Sequence, residues 1–393
     1  MIGINSNASK TRFILHKKKL VPLPSSLMDV LQRKEPFTQS LASIMVKEVF
    51  KSRFSHEQDM SVFDFFEHRL GHEVSKFISD PLCRGITAGD ARYLSMKSLF
   101  PDIYNKTLEK GSLFKGLVFS KKTLPPPEID IKPSFLAEQA KDNKWTAWSL
   151  REGLQSFPDK LTDYLMKNDK VTIMTGSKIK SISFRDKEAS IELEGQESPV
   201  TTDNMFSTLP SHSLASCLPS YLGQDLLRIP FVDVAVAVLE FSGHKDLNAF
   251  GFLVPSFEQS NLLGITFDSC CFPQHDKGKD ITRVTCMMGG EWFDQLFGSM
   301  NNDKILEEAV KSAKSILGFS KDPVRTTFRV HKKCIPQYKV GHSVILENIT
   351  DAFKKIPTNI YLLGSSFHGI SVNDVIFNSR KAVNDFHVKN ELQ

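Results

Sequence analysis

The 393-residue sequence contains 21 glycines, yet no two of them are separated by a single residue. A Gly-x-Gly-x-x-Gly loop is therefore absent from it. That loop lets the backbone approach the pyrophosphate of a dinucleotide at the N-terminus of a helix. Its absence excludes a complete dinucleotide-binding Rossmann loop within these residues.

Cysteine is scarce, and its spacing indicates neither disulfides nor metal. The six cysteines form no Cys-x-x-Cys pair and no spacing with histidine that is typical of a metal site. We therefore expect reduced thiols and no metal. The first residues have neither a basic segment nor an apolar core, so no secretory signal is predicted. No run reaches the roughly 18 apolar residues that span a bilayer, so any membrane attachment is expected to be peripheral.

The composition is that of a folded protein long enough for two or three domains. Hydrophobic residues make up 40% and charged residues 24% of the chain,. The formal net charge of +5 is too small to indicate nucleic acid by itself, and no nucleic-acid partner is expected,. Thirty phenylalanines suit an apolar cavity or a lipid-facing surface, although a large core is the better explanation of them.

The segment 359–386 combines an apolar run, a loop of small residues and helical periodicity. Ile360–Leu363 is predicted as a buried strand, and Asn373 or Asp374 as the cap of the following helix. The loop would then face free backbone N–H groups and the positive end of the helix dipole. Such a corner suits an anion, a phosphate or a polar heterocycle. An ordinary turn in an α/β core is the alternative.

Periodicity elsewhere predicts a helical region followed by sheets. Residues 25–122 are predicted to be mainly helical, and Leu124–Glu128 to be a stiff linker. Further helices are predicted at Gln155–Lys167 and Asp303–Leu317. Strands are predicted at Thr11–His16, Leu20–Leu23, Val171–Met174, Lys178–Phe184, Ser190–Leu193, Asn204–Leu209, Val232–Phe241, Phe250–Val254, Leu262–Phe267 and Thr282–Met288.

Several motifs resemble the protoporphyrinogen oxidase family of the flavin amine oxidase superfamily. They are Arg-Phe at 12–13, Pro-Leu-Cys-Arg-Gly-Ile at 81–86, Trp-Ser-Leu-Arg-Glu-Gly-Leu at 148–154, Phe-Gly-Phe-Leu-Val-Pro at 250–255 and Gly-x-Ser-x-x-Gly-Ile-x-Val-Asn-Asp at 364–374. Glu152 stands where the family has glycine. The family carries its glycine-rich loop upstream of where this chain begins, so the resemblance covers only the later part of the family's usual length.

The resemblance implies an α/β (α+β) fold of flavin amine oxidase type. Its parts would be an incomplete Rossmann-type FAD domain, a mixed-sheet substrate domain and a helical membrane-binding domain. The implied boundaries are 1–24 for a strand hairpin at the domain junction, 25–123 for the helical domain, 223–329 for the substrate domain, and 124–222 with 330–393 for the FAD domain. The implied activity is oxidation of protoporphyrinogen IX to protoporphyrin IX with FAD and O₂. A peripheral place on the mitochondrial inner membrane and a homodimer are also implied.

The resemblance also assigns site residues. Arg12 would hold a substrate carboxylate through paired charge-assisted hydrogen bonds. The tetrapyrrole would contact Gly85, Phe250, Leu253, Thr266 and Met287. The family has an aliphatic residue where Thr266 stands. FAD would contact Trp148, Ile179, Val330, Gly364, His368, Gly369, Ile370, Ser371 and Val372. Core packing or an ordinary surface position is the alternative for each.

Two function hypotheses stay open. One is an FAD-dependent oxidase, in which the protein only positions the substrate because side chains offer no reusable hydride acceptor. The other is a non-catalytic, truncated family member that binds porphyrinogen or a membrane. Leu113–Lys122 interleaves apolar residues with lysines, which suits a membrane interface or an amphipathic core helix. Without the glycine-rich loop, we expect this chain alone not to hold FAD stoichiometrically.

Overall fold

A computed structural model describes residues 1–52, 59–120, 134–276, 278 and 280–391. The predicted linker Leu124–Glu128 lies outside these residues. In chain order, the strands β1 to β14 are Ile2–Ile4, Arg12–His16, Lys19–Pro22, Ala147–Ser149, Ile179–Arg185, Glu188–Leu193, Val200–Thr202, Asn204–Ser207, Phe231–Ser242, Gly251–Leu253, Leu262–Thr266, Ile281–Gly290, Arg325–Pro336 and Asn359–Leu362.

The first of the described helices begins at Asn7, and the last ends at Glu391. They are Asn7–Lys10, Leu27–Leu31, Leu41–Val49, Val62–Leu70, His72–Val74, Asp80–Thr87, Met96–Leu99, Pro101–Lys110, Leu113–Phe119, Phe135–Asp142, Ser156–Leu165, Ser211–Cys217, Ser220–Gly223, Asp268–Cys271, Phe293–Phe297, Asn302–Leu317, His342–Lys354 and Val372–Glu391. A π-helical turn spans Ser75–Ser79, and 3₁₀ turns span Leu226–Arg228 and Pro273–His275.

The largest sheet has seven strands in the order β13-β9-β12-β11-β10-β2-β3. Its neighbours are antiparallel except for β10 and β2, which run parallel, so the expected mixed sheet is confirmed. The hairpin β2–β3 forms one edge, as expected of a hairpin that would be marginal alone. The predicted domain boundaries remain predictions, although β13 continues across the one at residue 330.

The two faces of this sheet differ in burial. One face lies under helix Asn302–Leu317, whose Ile305, Ala309 and Ala313 are buried and recur every fourth residue,. Ala237 and Cys286 face this main core, whereas Val238 and Thr285 on the other face are only partly buried. Side chains alternate along a strand, so the sheet has one sealed face and a second face that is open in part; we call the second the accessible face, although Val232 and Val234 are buried at one end of it,.

A buried ion pair organises the helical region, which the structure confirms as mainly helical. Arg69 donates to the Glu48 carboxylate, and both side chains are fully buried. Glu48 also accepts N–H bonds from Leu113 at 2.7 Å and Phe114 at 3.1 Å, at the start of helix Leu113–Phe119. The pair thereby fixes this helix against Leu41–Val49.

Smaller sheets are separate from the large one. Strands β14 and β8 form a parallel pair, and β5, β6 and β7 form a three-stranded antiparallel sheet. The predicted strand Val171–Met174 is wrong, since these residues adopt no regular structure and Ile173 and Met174 are exposed. In the part of the chain that the structure describes, no strand pairs with this segment. An extended segment without a neighbouring strand makes no ladder hydrogen bonds through its N–H and C=O groups, so nothing favours the strand over irregular backbone.

Candidate substrate and cofactor site

The loop after β14 lies at the carboxyl ends of two parallel strands. The Leu363 N–H donates to the carbonyl of Ser207, at the end of β8, at 2.8 Å. Ser366 Oγ accepts the N–H of Ser211 at 3.0 Å and so joins the two loops. Ligands of open α/β sheets bind at the carboxyl ends of neighbouring strands. The loop Gly364–Ser371 therefore occupies a position that is typical of a ligand site.

Helix Val372–Glu391 begins earlier than predicted. Ser371, not Asn373 or Asp374, is its cap, because the Ser371 Oγ accepts the N–H of Asp374 at 3.1 Å. The Asp374 carboxylate in turn accepts the N–H and O–H of Ser371, at 3.3 and 2.6 Å. This reciprocal capping box satisfies the first donors of the helix. The signal Ser-x-x-Asp was present in the sequence.

Glycine is required twice in this loop. Gly364 and Gly369 have φ values of +99° and +84°. A Cβ on Gly369 would stand 2.4 Å from the Cβ of Asp374, so a side chain there would also disrupt the capping box. Gly364 and Gly369 therefore both have a backbone conformation that favours glycine, and at Gly369 there is also no room for a side chain,.

Tyr338 and His342, which were not predicted as site residues, contact the backbone of the loop Gly364–Ser371. The Tyr338 hydroxyl donates to the carbonyl of Ser365 at 2.6 Å, and His342 Nε2 lies 3.4 Å from the carbonyl of Phe367. The two rings stack with centroids 4.0 Å apart. Burial lowers the pKa of His342 to about 4, so the imidazole is neutral at pH 7,. The spacing Tyr-x-x-Gly-His was visible in the sequence, but nothing in it indicated contact with the loop.

Four predicted substrate residues share the accessible face of the large sheet. Across the strands, Arg12 lies beside Gly251, Gly251 beside Thr266, and Thr266 beside Thr285. In the adjacent row, Leu253 lies beside Gly264 and Gly264 beside Met287. A glycine interrupts each row, and each packs closely on neighbouring backbone: a Cβ on Gly251 would stand 2.2 Å from the carbonyl oxygen of Ile265, and one on Gly264 would stand 2.6 Å from that of Phe252,.

The remaining two predicted substrate residues border this part of the sheet face. Gly85, in helix Asp80–Thr87, packs directly on Leu253. Phe250 precedes β10, and the Arg12 guanidinium lies over its ring at 5.1 Å from the centroid,. The structure thus brings all six predicted substrate residues to one region. Arg12 is exposed there, and its charge is available to a carboxylate.

The predicted cofactor residues are less completely assembled. Gly364, His368, Gly369, Ile370, Ser371 and Val372 lie together in the loop and its helix start. Ile179 packs on the core cluster that also contains Phe367. Trp148 is in β4, opposite Gly3, and Val330 packs on the sealed face of the large sheet. These assignments remain predictions.

The loop fits one part of a flavin dinucleotide. Backbone groups beside two glycines and a helix start suit the polar edge of the ring system. The pyrophosphate needs a separate glycine-rich cradle, and the sequence has no such motif,. Among the described residues, no group of three or more His, Cys, Asp or Glu side chains could hold a metal ion.

Comparison with known proteins identifies the family. Residues 6–385 match the model for flavin containing amine oxidoreductase. The chain belongs to this family. It is 33% identical over 382 residues to protoporphyrinogen oxidase of Homo sapiens, which covers 95% of this chain and 78% of that protein. It is 28% identical to protoporphyrinogen oxidase of Dictyostelium discoideum, over 99% of this chain and 82% of that protein.

Solved structures agree on the fold. A crystal structure from Exiguobacterium sp. 255-15, provisionally described as a protoporphyrinogen oxidase, has a TM-score of 0.77 and 20% identity, covering 98% of this chain and 82% of that one. A putrescine oxidase variant has a TM-score of 0.63 at 9% identity, covering 99% of this chain and 83% of that one. Family membership and fold together confirm the expected flavin amine oxidase-like architecture and an oxidoreductase that uses FAD.

Proposed function

We propose that this protein oxidises protoporphyrinogen IX to protoporphyrin IX with O₂. The observation that carries the proposal is the strand register of the large sheet, which brings Arg12, Leu253 and Met287 to one face of it. Sequence similarity to protoporphyrinogen oxidases supports the same substrate class. Coproporphyrinogen III oxidase of Bacillus subtilis, at 25% identity, is a relative that also acts on a porphyrinogen.

The protein's own role in this reaction is to bind and orient. When bound, FAD supplies the hydride acceptor and passes the electrons to O₂. Arg12 would pair with a propionate, and its side chain is already held over Phe250,. Leu253 and Met287 would pack against the macrocycle and exclude water from it. The loop Gly364–Ser371 would hold the flavin ring through its backbone.

We propose further that the 393-residue chain binds porphyrin better than it retains FAD. The glycine-rich pyrophosphate cradle is not in the sequence. Charge-assisted hydrogen bonds are worth about 1.5–3 kcal/mol each, so several missing contacts would lower the affinity by orders of magnitude. The oxidase hypothesis and the porphyrinogen-binding alternative therefore differ only in whether this chain retains FAD.

A peripheral place on the mitochondrial inner membrane is also proposed. In the described part of the chain, no helix is long and apolar enough to cross a membrane. Leu117, Val118 and Phe119 are all exposed at the end of the helix that Glu48 fixes in place. Exposed apolar residues next to lysines suit the headgroup region of an anionic bilayer. The homodimer stays a prediction.

The function is tested with the purified chain and protoporphyrin IX, followed by porphyrin fluorescence. We expect saturable binding, little flavin after gel filtration, and porphyrinogen oxidation above the air background only when FAD is in large excess. The human relative is the control for full flavin retention. Lack of saturable porphyrin binding would contradict the substrate assignment, and stoichiometric flavin in this chain would contradict the weak retention of FAD.

A further inference from the structure

Arg84 reaches from helix Asp80–Thr87 to the large sheet. The residue is buried, with 4% of its surface exposed. Its Nη2 donates to the carbonyl of Leu262, the first residue of β11, at 3.1 Å. The guanidinium also lies over the ring of Trp292, 4.2 Å from the centroid, and Trp292 follows the end of β12 by two residues. One side chain of the helical region therefore contacts β11 and the end of β12 together.

Strand β11 contains a bulge at the carbonyl that the guanidinium contacts. Leu262 lies opposite Met288 and Gly264 lies opposite Met287, which leaves Leu263 as an extra residue in β11. A bulge of this kind changes the direction of a side chain, and bulges are frequent beside active sites.

The burial of the three residues agrees with the bulge. Leu262 and Ile265 both pack in the main core, although they are three positions apart and would point to opposite faces of a regular strand,. Leu263 packs on the other face, in a cluster with Ala88 and Val234. The bulge thus allows two consecutive leucines of β11 to fill the cores on both faces of the sheet.

The bulge also decides which residue stands between Leu253 and Met287. With the bulge, Gly264 lies opposite both of them. Without the extra residue, either Leu263 would lie opposite Met287 in place of the glycine, or Leu262 would leave the main core. A Cβ on Gly264 would stand 2.6 Å from a carbonyl oxygen of β10 and 3.2 Å from Leu253 Cδ2, so a larger residue there would displace Leu253.

Arginine is well suited to hold this arrangement. A planar guanidinium donates from its edge and packs on an aromatic ring through its face, so it can contact a carbonyl and an indole together. Burial lowers the pKa of Arg84 to about 10, against the charges of Asp80 and Asp90, so the side chain stays protonated at pH 7,. The hydrogen bond to Leu262 is therefore charge-assisted.

We propose that Arg84 is a positioning residue that holds the bulge of β11 in place and thereby keeps Leu253 and Met287 available to the tetrapyrrole. The inference rests on the proposed porphyrinogen function and adds a residue that acts on the substrate only through others. Gly85, the next residue of the helix, packs on Leu253 in β10. The helix would thus position the predicted substrate residues through β10 as well as through β11.

Hydrogen–deuterium exchange tests the role of Arg84 in the bulge without a ligand. Arg84→Met removes the donor and the charge, and it should raise exchange of the β11 amides at least about tenfold, the value of a charge-assisted hydrogen bond. Arg84→Lys keeps a donor and should raise exchange less. The control is Val62→Ala, because Val62 is fully buried in a core cluster formed by the helical region alone. It should leave exchange in β11 unchanged.

Titration with protoporphyrin IX tests the role of Arg84 in substrate binding. Arg84→Met should weaken binding by roughly tenfold or more, and Arg84→Lys by less. Val62→Ala should lower thermal stability without this loss of affinity. Gly264→Ala should also weaken binding. Because both sites act through one bulge, the double variant Arg84→Met, Gly264→Ala should bind about as weakly as the weaker single variant.

Unchanged β11 exchange in folded Arg84→Met would overturn the inference and leave the proposed function standing. So would an equal loss of affinity in Arg84→Met and Val62→Ala, or losses that add up in the double variant. If Arg84→Met does not fold, Arg84→Lys provides the same comparisons. Failure of the wild-type chain to bind protoporphyrin IX would overturn the proposed function and the substrate role of Arg84, and exchange would still decide whether Arg84 holds the bulge.

Discussion

Gly85 and Leu253 meet so closely that an added Cβ on Gly85 would stand 2.3 Å from Leu253 Cδ2. One residue belongs to the helical region and the other to the large sheet. The contact therefore joins the two parts of the molecule beside the predicted substrate residues.

Gly85→Ala is expected to weaken porphyrin binding more than it destabilises the fold. The methyl group would displace the flexible end of Leu253 from its place beside the other predicted substrate residues, because a Cβ on Gly85 would stand 2.3 Å from Leu253 Cδ2. Overpacking of this kind costs about 1–3 kcal/mol. Protoporphyrin IX titration and thermal unfolding would be measured side by side. Shortening the partner in Gly85→Ala, Leu253→Val should restore part of the affinity, and unchanged affinity in the single variant would refute the proposed placement of the ring.

Arg12→Ala should lower affinity for protoporphyrin IX by roughly ten- to a hundredfold, the value of a charge-assisted hydrogen bond to a carboxylate. The same substitution should barely change binding of the dimethyl ester, which has no charged propionate. Arg12→Lys keeps the charge and should retain part of the affinity for the free acid. An equal loss for acid and ester would show that Arg12 acts through packing with Phe250 and not through its charge.

Stability should fall between pH 7 and pH 5, and His342 should carry part of that loss. Burial lowers the pKa of His342 from its ordinary value of 6.5 to about 4. Between these values the unfolded chain binds a proton that the folded chain does not, so acidification favours unfolding. The contribution is fully present above pH 6.5 and amounts to about 3 kcal/mol at most.

Urea unfolding of the wild type and His342→Gln at several pH values isolates this contribution. The variant should be less stable at pH 7, and its stability should fall less steeply towards pH 5. The difference between the two proteins is the relevant measure, because burial also lowers the pKa values of His368 and His212. Parallel pH profiles would argue against a neutral, buried His342.

Phe119→Glu should reduce flotation with anionic liposomes at low salt. Phe119 is 70% exposed at the end of its helix, and a carboxylate there would be repelled by anionic headgroups,. Leu227→Glu is a matched control, since Leu227 is 64% exposed in a 3₁₀ turn far along the chain. A similar loss in both variants, or no binding by the wild type, would count against the proposed membrane surface.

Much of the fold could be read from local patterns. The apolar run at 232–241 predicted the central strand β9. The helical spacing of apolar residues predicted a helix at Asp303–Leu317, one residue shorter than the observed Asn302–Leu317. The helix buries its apolar residues on one side, whereas β9 buries apolar residues on both faces, so each local pattern specifies its element,. Val171–Met174 shows the limit of such patterns, because a strand forms only where a neighbouring backbone accepts its hydrogen bonds.

The sequence by itself determined the residue types of the site and, through its motifs, the family to which the chain belongs. It also determined that no glycine-rich pyrophosphate loop lies within these 393 residues. Only the tertiary structure placed Arg12 two strands from Thr266, Gly85 on Leu253, and Tyr338 under the loop. The first depends on strand order and register, which join positions more than 200 residues apart, and the other two depend on how helices and loops pack together. Local chemistry cannot specify such pairings, because they depend on which faces the whole chain can bury together.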